Sequence, residues 1–212
     1  KARLIASPGC YPTSILLPLI PLLRAKLIKS HGIIANSLSG VSGAGRKAEE
    51  TWLYCECNES ARPYGVPKHR HLSEIEQELT WAEGVGNKGD GAAGRRVVIQ
   101  FTPHLIPVAR GILTTLYVRP QEKMKDVSSA IARCYQHAYG HEPFVRLLNE
   151  PALPDLKNVV NTNFIEIAHR MDPRTGRLLL FSAEDNLTKG AAGQAVQSMN
   201  ILFGFPETEG LL

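Results

Sequence analysis

The chain has 212 residues, of which 43% are hydrophobic, and it carries a formal net charge of +4 at neutral pH. This length allows one large domain or two small ones with a hydrophobic core. Lysine and arginine are scattered rather than clustered, which argues against a nucleic-acid-binding surface and favours a protein that handles anionic metabolites. The four cysteines fit neither a zinc pattern nor a disulfide framework, so we predict reduced thiols, no metal site and a cytoplasmic location, or a plastid or mitochondrion in a eukaryote.

The first predicted helix follows a Pro-Gly turn at 7–9 that leads into Cys10. Pro12 suits the first helical turn, because the missing N–H of proline has no cost there, and the helix is expected to run to about Ile28. Its apolar run at 15–23 contains two prolines and is too short to cross a bilayer, so no membrane span is expected. This arrangement places Cys10 at the N-terminus of a buried helix.

The remaining elements are predicted from hydrophobic spacing and strand-like composition. Three further segments have helical spacing or length, namely 69–79, 123–139 and 186–203. Six runs have the character of strands, namely 32–37, 96–102, 111–118, 144–148, 159–168 and 177–182. Residues 172–176 predict a tight turn, and 84–94 a surface loop. Because strands and helices are mixed without strict alternation, we predict an α+β fold with a mixed, largely antiparallel sheet.

Cys10 is the first candidate for chemistry. The thiolate is the reactive form of cysteine, and the partial positive charge of a helix N-terminus lowers the pKa of a thiol. A buried cysteine in a turn explains the same pattern equally well, because free cysteines are commonly buried. His69 and His71 are candidates for the proton acceptor that such a nucleophile needs, and a solvated basic cluster is the alternative.

Two glycine-containing segments are candidates for ligand contact. The loop SGVSGAGRK, residues 39–47, offers backbone N–H groups and the guanidinium of Arg46 to an anion, although an ordinary flexible loop has a similar composition. The segment DNLTKGAAGQAVQ, residues 185–197, places Asn186, Lys189 and several small residues at a helix start. Small residues there permit either a cofactor contact or tight helix packing.

Five segments, taken in order, resemble the N-acetyl-gamma-glutamyl-phosphate reductases of the semialdehyde dehydrogenase superfamily. They are PGCYPT, SGVSGAGR, HRHLSEIEQ, FTPHLIPVARGIL and DNLTKGAAGQAVQSMNILFGFPETEGL, and together they extend over nearly the whole chain. The resemblance implies NADP(H)-dependent reduction of an acyl phosphate, N-acetyl-gamma-glutamyl phosphate, to N-acetylglutamate 5-semialdehyde with release of phosphate, in arginine biosynthesis. It also implies a homodimer or homotetramer.

The resemblance assigns roles to individual residues. It implies that Cys10 attacks the acyl phosphate to form a thioacyl enzyme, that His71 is the acid–base and that His69 contacts substrate. Further substrate contacts are expected from Ser39, Arg46 and Arg110, and cofactor contacts from Ser42, Gly43, Asn186, Lys189 and Gly190. The family usually has asparagine before the Pro-Gly-Cys turn, whereas this chain has Ser7.

The glycine-rich phosphate loop of a Rossmann domain is missing from this chain, which we therefore expect to be a C-terminal fragment. We expect 1–28 to be a remnant of the dinucleotide-binding domain, 29–184 to form the catalytic and dimerisation domain, and 185–212 to be a helix that returns to the dinucleotide-binding domain. The alternatives are aspartate-semialdehyde dehydrogenase or a lysine-pathway analogue, a non-catalytic dimerisation module, and a cysteine hydrolase. Aspartate-semialdehyde dehydrogenases have their catalytic histidine after an Arg-Gly pair, and Ile112 stands at that place here.

Overall fold

A computed structural model describes residues 2–84, 96–122 and 126–212. The described residues form five α-helices: α1 (Cys10–Arg24), α2 (Tyr54–Cys57), α3 (Leu72–Ala82), α4 (Val127–Tyr139) and α5 (Gly193–Phe203). They form seven strands: β1 (Ile33–Ser39), β2 (Arg62–Pro63), β3 (Ile99–Leu105), β4 (Ile112–Val118), β5 (Val145–Leu147), β6 (Ile165–Asp172) and β7 (Arg177–Glu184). Short 3₁₀ helices span Val41–Ala44, Glu50–Trp52 and Leu156–Asn158, and a π-helical turn, Thr188–Ala192, leads into α5.

The seven strands make one sheet in the order β2-β3-β1-β4-β7-β6-β5. Strands β1 and β3 are parallel, as are β5 and β6, and the other neighbours are antiparallel. The predicted α+β class with a mixed, largely antiparallel sheet is therefore confirmed. Among the described residues, no helix has both the length and the apolar character needed to cross a bilayer.

One face of the sheet is covered by helices. Buried side chains alternate with half-buried or exposed ones along β1, β3 and β4, so that every second residue points into the core, as strand geometry requires. Helix α1 lies over this face and contacts β4, β7, α3 and α4. Ile15 and Leu19 of α1 are fully buried in the same core as Leu116 and Leu180 of the sheet. This packing fixes the N-terminus of α1, and Cys10 with it, at one end of the sheet.

Helix α1 accommodates two internal prolines. Pro18 and Pro21 have no N–H, so the carbonyl groups four residues earlier lose their intrahelical donors. Ser182 Oγ donates to the carbonyl of Ser14 at 2.7 Å, and Tyr139 Oη donates to the carbonyl of Leu17 at 2.7 Å. Both freed carbonyls are therefore satisfied by hydroxyl groups from β7 and α4, which also tie the helix to its neighbours.

Most predicted elements are present, with shifted ends. Helix α1 ends at Arg24 rather than near residue 28, and α4 starts at Val127, where the side chain of Asp126 caps the helix by accepting from a backbone N–H. The strand predicted from residue 159 starts at Ile165. The predicted loop at 84–94 lies, except for Gly84, outside the described residues, and the proposed domain division stays a prediction.

Candidate active site

A cavity of about 300 Å³ opens beside the N-terminus of α1. Its lining includes five residues singled out from the sequence, namely Cys10, Ser39, Gly43, His69 and His71. They come from the cysteine turn, the end of β1, the 3₁₀ helix that follows β1, and the segment before α3. The fold therefore brings together a thiol, two imidazoles and a glycine-rich loop that lie far apart along the chain.

The turn that presents Cys10 is held by two helices. Gly9 precedes α1 in an extended conformation, and Cys10 is the first residue of the helix. The N–H of Gly9 donates to Glu74 Oε1 of α3 at 3.1 Å, and the amide of Gln194 in α5 donates to the carbonyl of Pro8 at 3.0 Å. Thus α3 and α5 both fix the backbone that positions the thiol.

Cys10 is a thiol, not a thiolate, at neutral pH. Burial raises its pKa to about 11, and the charge of an ionised Glu184 would act in the same direction. The backbone N–H groups of Tyr11 and Cys10 lower the pKa, as expected at a helix N-terminus, and Arg70 adds a smaller effect. The helix N-terminus therefore lowers the pKa of the thiol, as the sequence predicts, but desolvation of the sulfur is the larger effect and raises it.

His71 lies against the cysteine turn. Its ring packs over Gly9 so closely that a Cβ added to Gly9 would lie 2.8 Å from the Nε2 atom. Its pKa is lowered to about 4, chiefly by burial and also by the neighbouring His69 and Arg70, which oppose a further positive charge. The imidazole is therefore neutral at neutral pH and can accept a proton.

His69 is fixed by its neighbours in a different orientation. Its Nδ1 accepts a hydrogen bond from the backbone N–H of His71 at 3.1 Å, and its ring packs edge-to-face with Tyr11, Tyr64 and Phe101. Burial lowers its pKa as well. Because Nδ1 is the acceptor in this neutral ring, Nε2 carries the hydrogen. His69 is thus set up as a hydrogen-bond donor, whereas His71 is free to act as a base.

The cavity also contains residues that the sequence reasoning did not select. Lys68 and Arg70 are exposed cations in its lining, and Tyr11 and Tyr64 share a hydrogen bond of 2.6 Å between their hydroxyl groups. Lys68 and Arg70 flank His69 in the segment KHRH, and Tyr11 follows Cys10 directly. Their position next to predicted site residues in the sequence is the signal that could have identified them. These cations give the cavity a positive rim suited to a phosphate or carboxylate.

The predicted cofactor residues do not line one cleft, since Gly43 lines the Cys10 cavity and Lys189 a separate groove. Gly190 contacts Cys10, since an added Cβ would lie 2.7 Å from the Cys10 Cβ. Ser42 and Asn186 hydrogen-bond to each other, and Asn186 Oδ1 also accepts from the backbone N–H of Gly111 at 2.7 Å. Their side chains anchor the glycine-rich loop to the end of β7.

Lys189 lines a second opening on the surface of the cysteine turn, a groove of about 620 Å³ shared with Ser7 and Gln194. Its ammonium donates to Gln197 Oε1 at 2.8 Å, and burial lowers its pKa. The two openings meet at the cysteine turn, because Cys10 belongs to the lining of the first and Pro8 to that of the second.

The two arginines predicted to bind substrate are not in the lining of the Cys10 cavity. Arg46 is exposed near the end of the glycine-rich loop. Arg110 hydrogen-bonds to Asn161, and its guanidinium lies 3.6 Å from the buried carboxylate of Asp185. Through these contacts Arg110 links its own loop to the segments that contain Asn161 and Asp185. Substrate binding by Arg110 and by Arg46 stays a prediction.

Residues 10–186 match the family model described as semialdehyde dehydrogenase, dimerisation domain. The chain belongs to this family. It is 58% identical over its full length to an N-acetyl-gamma-glutamyl-phosphate reductase from Akkermansia muciniphila, and 50% identical to the protein of the same name from Citrifermentans bemidjiense. It spans 57% and 58% of the lengths of these curated relatives.

Solved structures of semialdehyde dehydrogenases share the fold of this family member. A probable aspartate-semialdehyde dehydrogenase from Pseudomonas aeruginosa superposes with a TM-score of 0.70 at 17% identity, over 96% of this chain and 64% of that one. The aspartate semialdehyde dehydrogenase from Candida albicans, determined with NADP, gives 0.62 at 16% identity, over 92% and 56% of the two chains. At these identities the likeness shows the fold alone.

Proposed function

We propose that this chain carries the acyl-transfer site of an N-acetyl-gamma-glutamyl-phosphate reductase, the third enzyme of arginine biosynthesis. The observation that carries the proposal is the placement of Cys10 and a neutral His71 in one cavity with a cationic rim. The chain is 58% and 47% identical, over its whole length, to two proteins named as this reductase. This identity supports N-acetyl-gamma-glutamyl phosphate as the substrate rather than the substrates of related dehydrogenases. The proposed substrate is an acyl phosphate with a carboxylate, and both anionic groups suit Lys68 and Arg70.

The first chemical step uses groups of this chain only. The sulfur of Cys10 attacks the carbonyl carbon of the acyl phosphate, a thioester bond forms, and the bond from carbon to the phosphate oxygen breaks. The thiol proton passes to Nε2 of His71, and inorganic phosphate leaves with the bonding electron pair. Because Cys10 is protonated at rest and His71 is neutral, proton transfer accompanies the attack and does not precede it.

NADP(H) is the proposed cofactor. The groove beside the cysteine turn has the room for part of a dinucleotide, and Lys189 and Gln194, both largely buried, would hold it there. When bound, the nicotinamide supplies the hydride that reduces the thioester to the aldehyde. Within residues 2–84, 96–122 and 126–212 no strand leads through a Gly-x-Gly-x-x-Gly turn into a helix, so this part of the chain offers contacts to one end of the cofactor.

We propose a homodimer or homotetramer that forms through the face of the sheet opposite α1. Along β1 and β4 this face carries the half-buried residues Ile34, Leu38, Leu113 and Tyr117, next to Phe181 of β7. A face of this character is expected to be covered in an assembly. The family model, described as a dimerisation domain, supports association. We also propose a cytoplasmic location.

The acyl-transfer step can be tested with this chain alone. Incubation with N-acetyl-gamma-glutamyl phosphate should give a thioacyl adduct on Cys10, detected by mass spectrometry, with one phosphate released per chain. Cys10→Ser should abolish both, whereas Cys134→Ser, a change in α4 remote from the cavity, should not. Phosphate release that continues beyond one equivalent without NADPH would instead indicate a cysteine hydrolase.

The complete reaction requires the full-length polypeptide that contains this sequence. Phosphate-dependent oxidation of N-acetylglutamate 5-semialdehyde with NADP should be lost in Cys10→Ser. Retained activity in that variant would refute the mechanism. Equal turnover of aspartate semialdehyde by the unmodified protein would favour the alternative substrate.

A further inference from the structure

Glu184, the last residue of β7, has an unusual environment. It is fully buried, and neither of its carboxyl oxygens has a hydrogen-bond partner among the described residues. Lys189, the nearest cation in sequence, forms no ion pair with it and donates instead to Gln197. An ionised carboxylate without donors in such a place is strongly unfavourable, so this side chain requires an explanation.

Glu184 lies directly beside the nucleophile. A Cβ placed on Gly190 would lie 2.7 Å from the Cβ of Cys10 and 3.1 Å from Oε1 of Glu184. The thiol-bearing carbon and the carboxyl oxygen therefore approach the same point, where the chain has a glycine. Glu184 is fully buried and is absent from the residues that line the Cys10 cavity, so it approaches Cys10 from the protein interior.

On the basis of the proposed role of Cys10, we propose that Glu184 is a tuning residue for this nucleophile. It is a second acid that competes with Cys10 for the single negative charge that the buried site can hold. Ionisation of either group opposes ionisation of the other, because both negative charges would lie in the same buried site. Once Glu184 is ionised, its charge raises the pKa of the Cys10 thiol.

The surrounding charges are consistent with this role. Burial raises the pKa of Glu184 well above its usual range, Lys189 of the π-helical turn lowers it, and the adjacent Asp185 raises it. Asp185 is itself engaged by the backbone N–H groups of residues 161, 187 and 188 and by Arg110. On the cavity side, Arg70 favours the thiolate of Cys10, and Glu184 opposes it. Two acids so close in a low dielectric titrate as a coupled pair.

The test is the pH dependence of Cys10 alkylation by iodoacetamide, followed peptide by peptide with mass spectrometry. Glu184→Gln keeps the shape and removes the competing charge, so the profile should move to lower pH. At a pH where Glu184 is ionised and Cys10 is still a thiol, the alkylation rate should rise about tenfold if the pKa of the thiol falls by about one. Glu184→Asp, which retains an acid, should keep the profile nearer to that of the original chain. Glu166→Gln removes another buried carboxyl, on β6, and should leave the profile unchanged.

Superimposable profiles for the original chain and Glu184→Gln would overturn the proposal. If that variant does not fold, NMR of the unsubstituted chain with ¹³C-labelled glutamate carboxyls decides. One carboxyl resonance should titrate at a higher pH than those of the other glutamates, and its absence would overturn the proposal. Alkylation requires no substrate, so a profile displaced to lower pH with no thioacyl adduct would refute the proposed function and leave this inference intact.

Discussion

Gly9→Ala would test whether the position of His71 against the cysteine turn is needed for catalysis. Gly9 has φ −71° and ψ 164°, which alanine adopts without strain, so the added methyl group acts through its contacts alone. The new Cβ would lie 2.8 Å from Nε2 and 2.9 Å from Cε1 of His71. Since carbon atoms pack best at about 3.5–4.0 Å, the imidazole must move by about 1 Å.

The effects on stability and on rate should differ widely. His71 can move its ring by rotating the side chain away from a preferred rotamer, which costs about 0.5–1.5 kcal/mol. The free energy of unfolding should therefore fall by about 1 kcal/mol. A displacement of about 1 Å in a catalytic group can cost about 100-fold in rate. We expect Cys10 acylation to slow by about that factor while the fold remains intact.

The assay combines the rate of thioacyl formation on Cys10 with urea unfolding. A double-mutant cycle supplies the control, because in His71→Ala the ring is absent and the methyl group of Gly9→Ala has room. The second substitution should then cause little further loss of rate. If the double variant loses rate by the product of the two single-variant factors, the methyl group does not act through His71. That result, or an unchanged rate in Gly9→Ala, would refute the proposed role of the His71 position.

Two further predictions concern stability. Tyr139→Phe removes the donor to the Leu17 carbonyl that Pro21 leaves free. It should lower the free energy of unfolding, measured in urea, by about 1–3 kcal/mol. An unchanged urea midpoint would show that another donor replaces the tyrosine. Because burial lowers the pKa of His71 from 6.5 to about 4, the unfolded chain binds a proton there more readily than the folded one. This contribution to stability is therefore complete above pH 6.5 and is lost as the pH falls towards 4. His71→Asn should flatten the plot of unfolding free energy against pH in this range. An equally steep plot for the variant would assign the loss of stability to other groups.

The parts of the structure that were predicted correctly are those with local causes. The Pro-Gly turn and Pro12 together specify a helix start, and Cys10 is indeed the first residue of α1. The strand run of β4 alternates so regularly that its bounds were predicted within one residue. Candidate histidines could be selected from spacing, but only the resemblance to a family placed them beside Cys10.

The errors have tertiary causes. The segment 159–164 has a strand-like composition, yet Asn161 adopts a φ of +65° and its backbone N–H donates to the buried Asp185 carboxylate at 2.7 Å. Asp185 is 24 residues further along the chain, and its hydrogen bond stabilises a turn where the composition predicts a strand. The last helix likewise begins with a π-helical turn, in which Gly190 packs directly on Cys10. No local pattern reports either constraint.

The charge state of Cys10 shows the same division between local and distant causes. The helix N-terminus is visible in the sequence and does lower the pKa of the thiol, but burial beneath distant elements has the larger effect and has the opposite sign. Glu184 lies close to Cys10 because β7 packs against α1 and because residue 190 has no side chain. A cysteine at a helix start is therefore insufficient to predict a thiolate. What decides the protonation state is the set of groups that the fold packs behind the sulfur, and for Cys10 that set includes another acid.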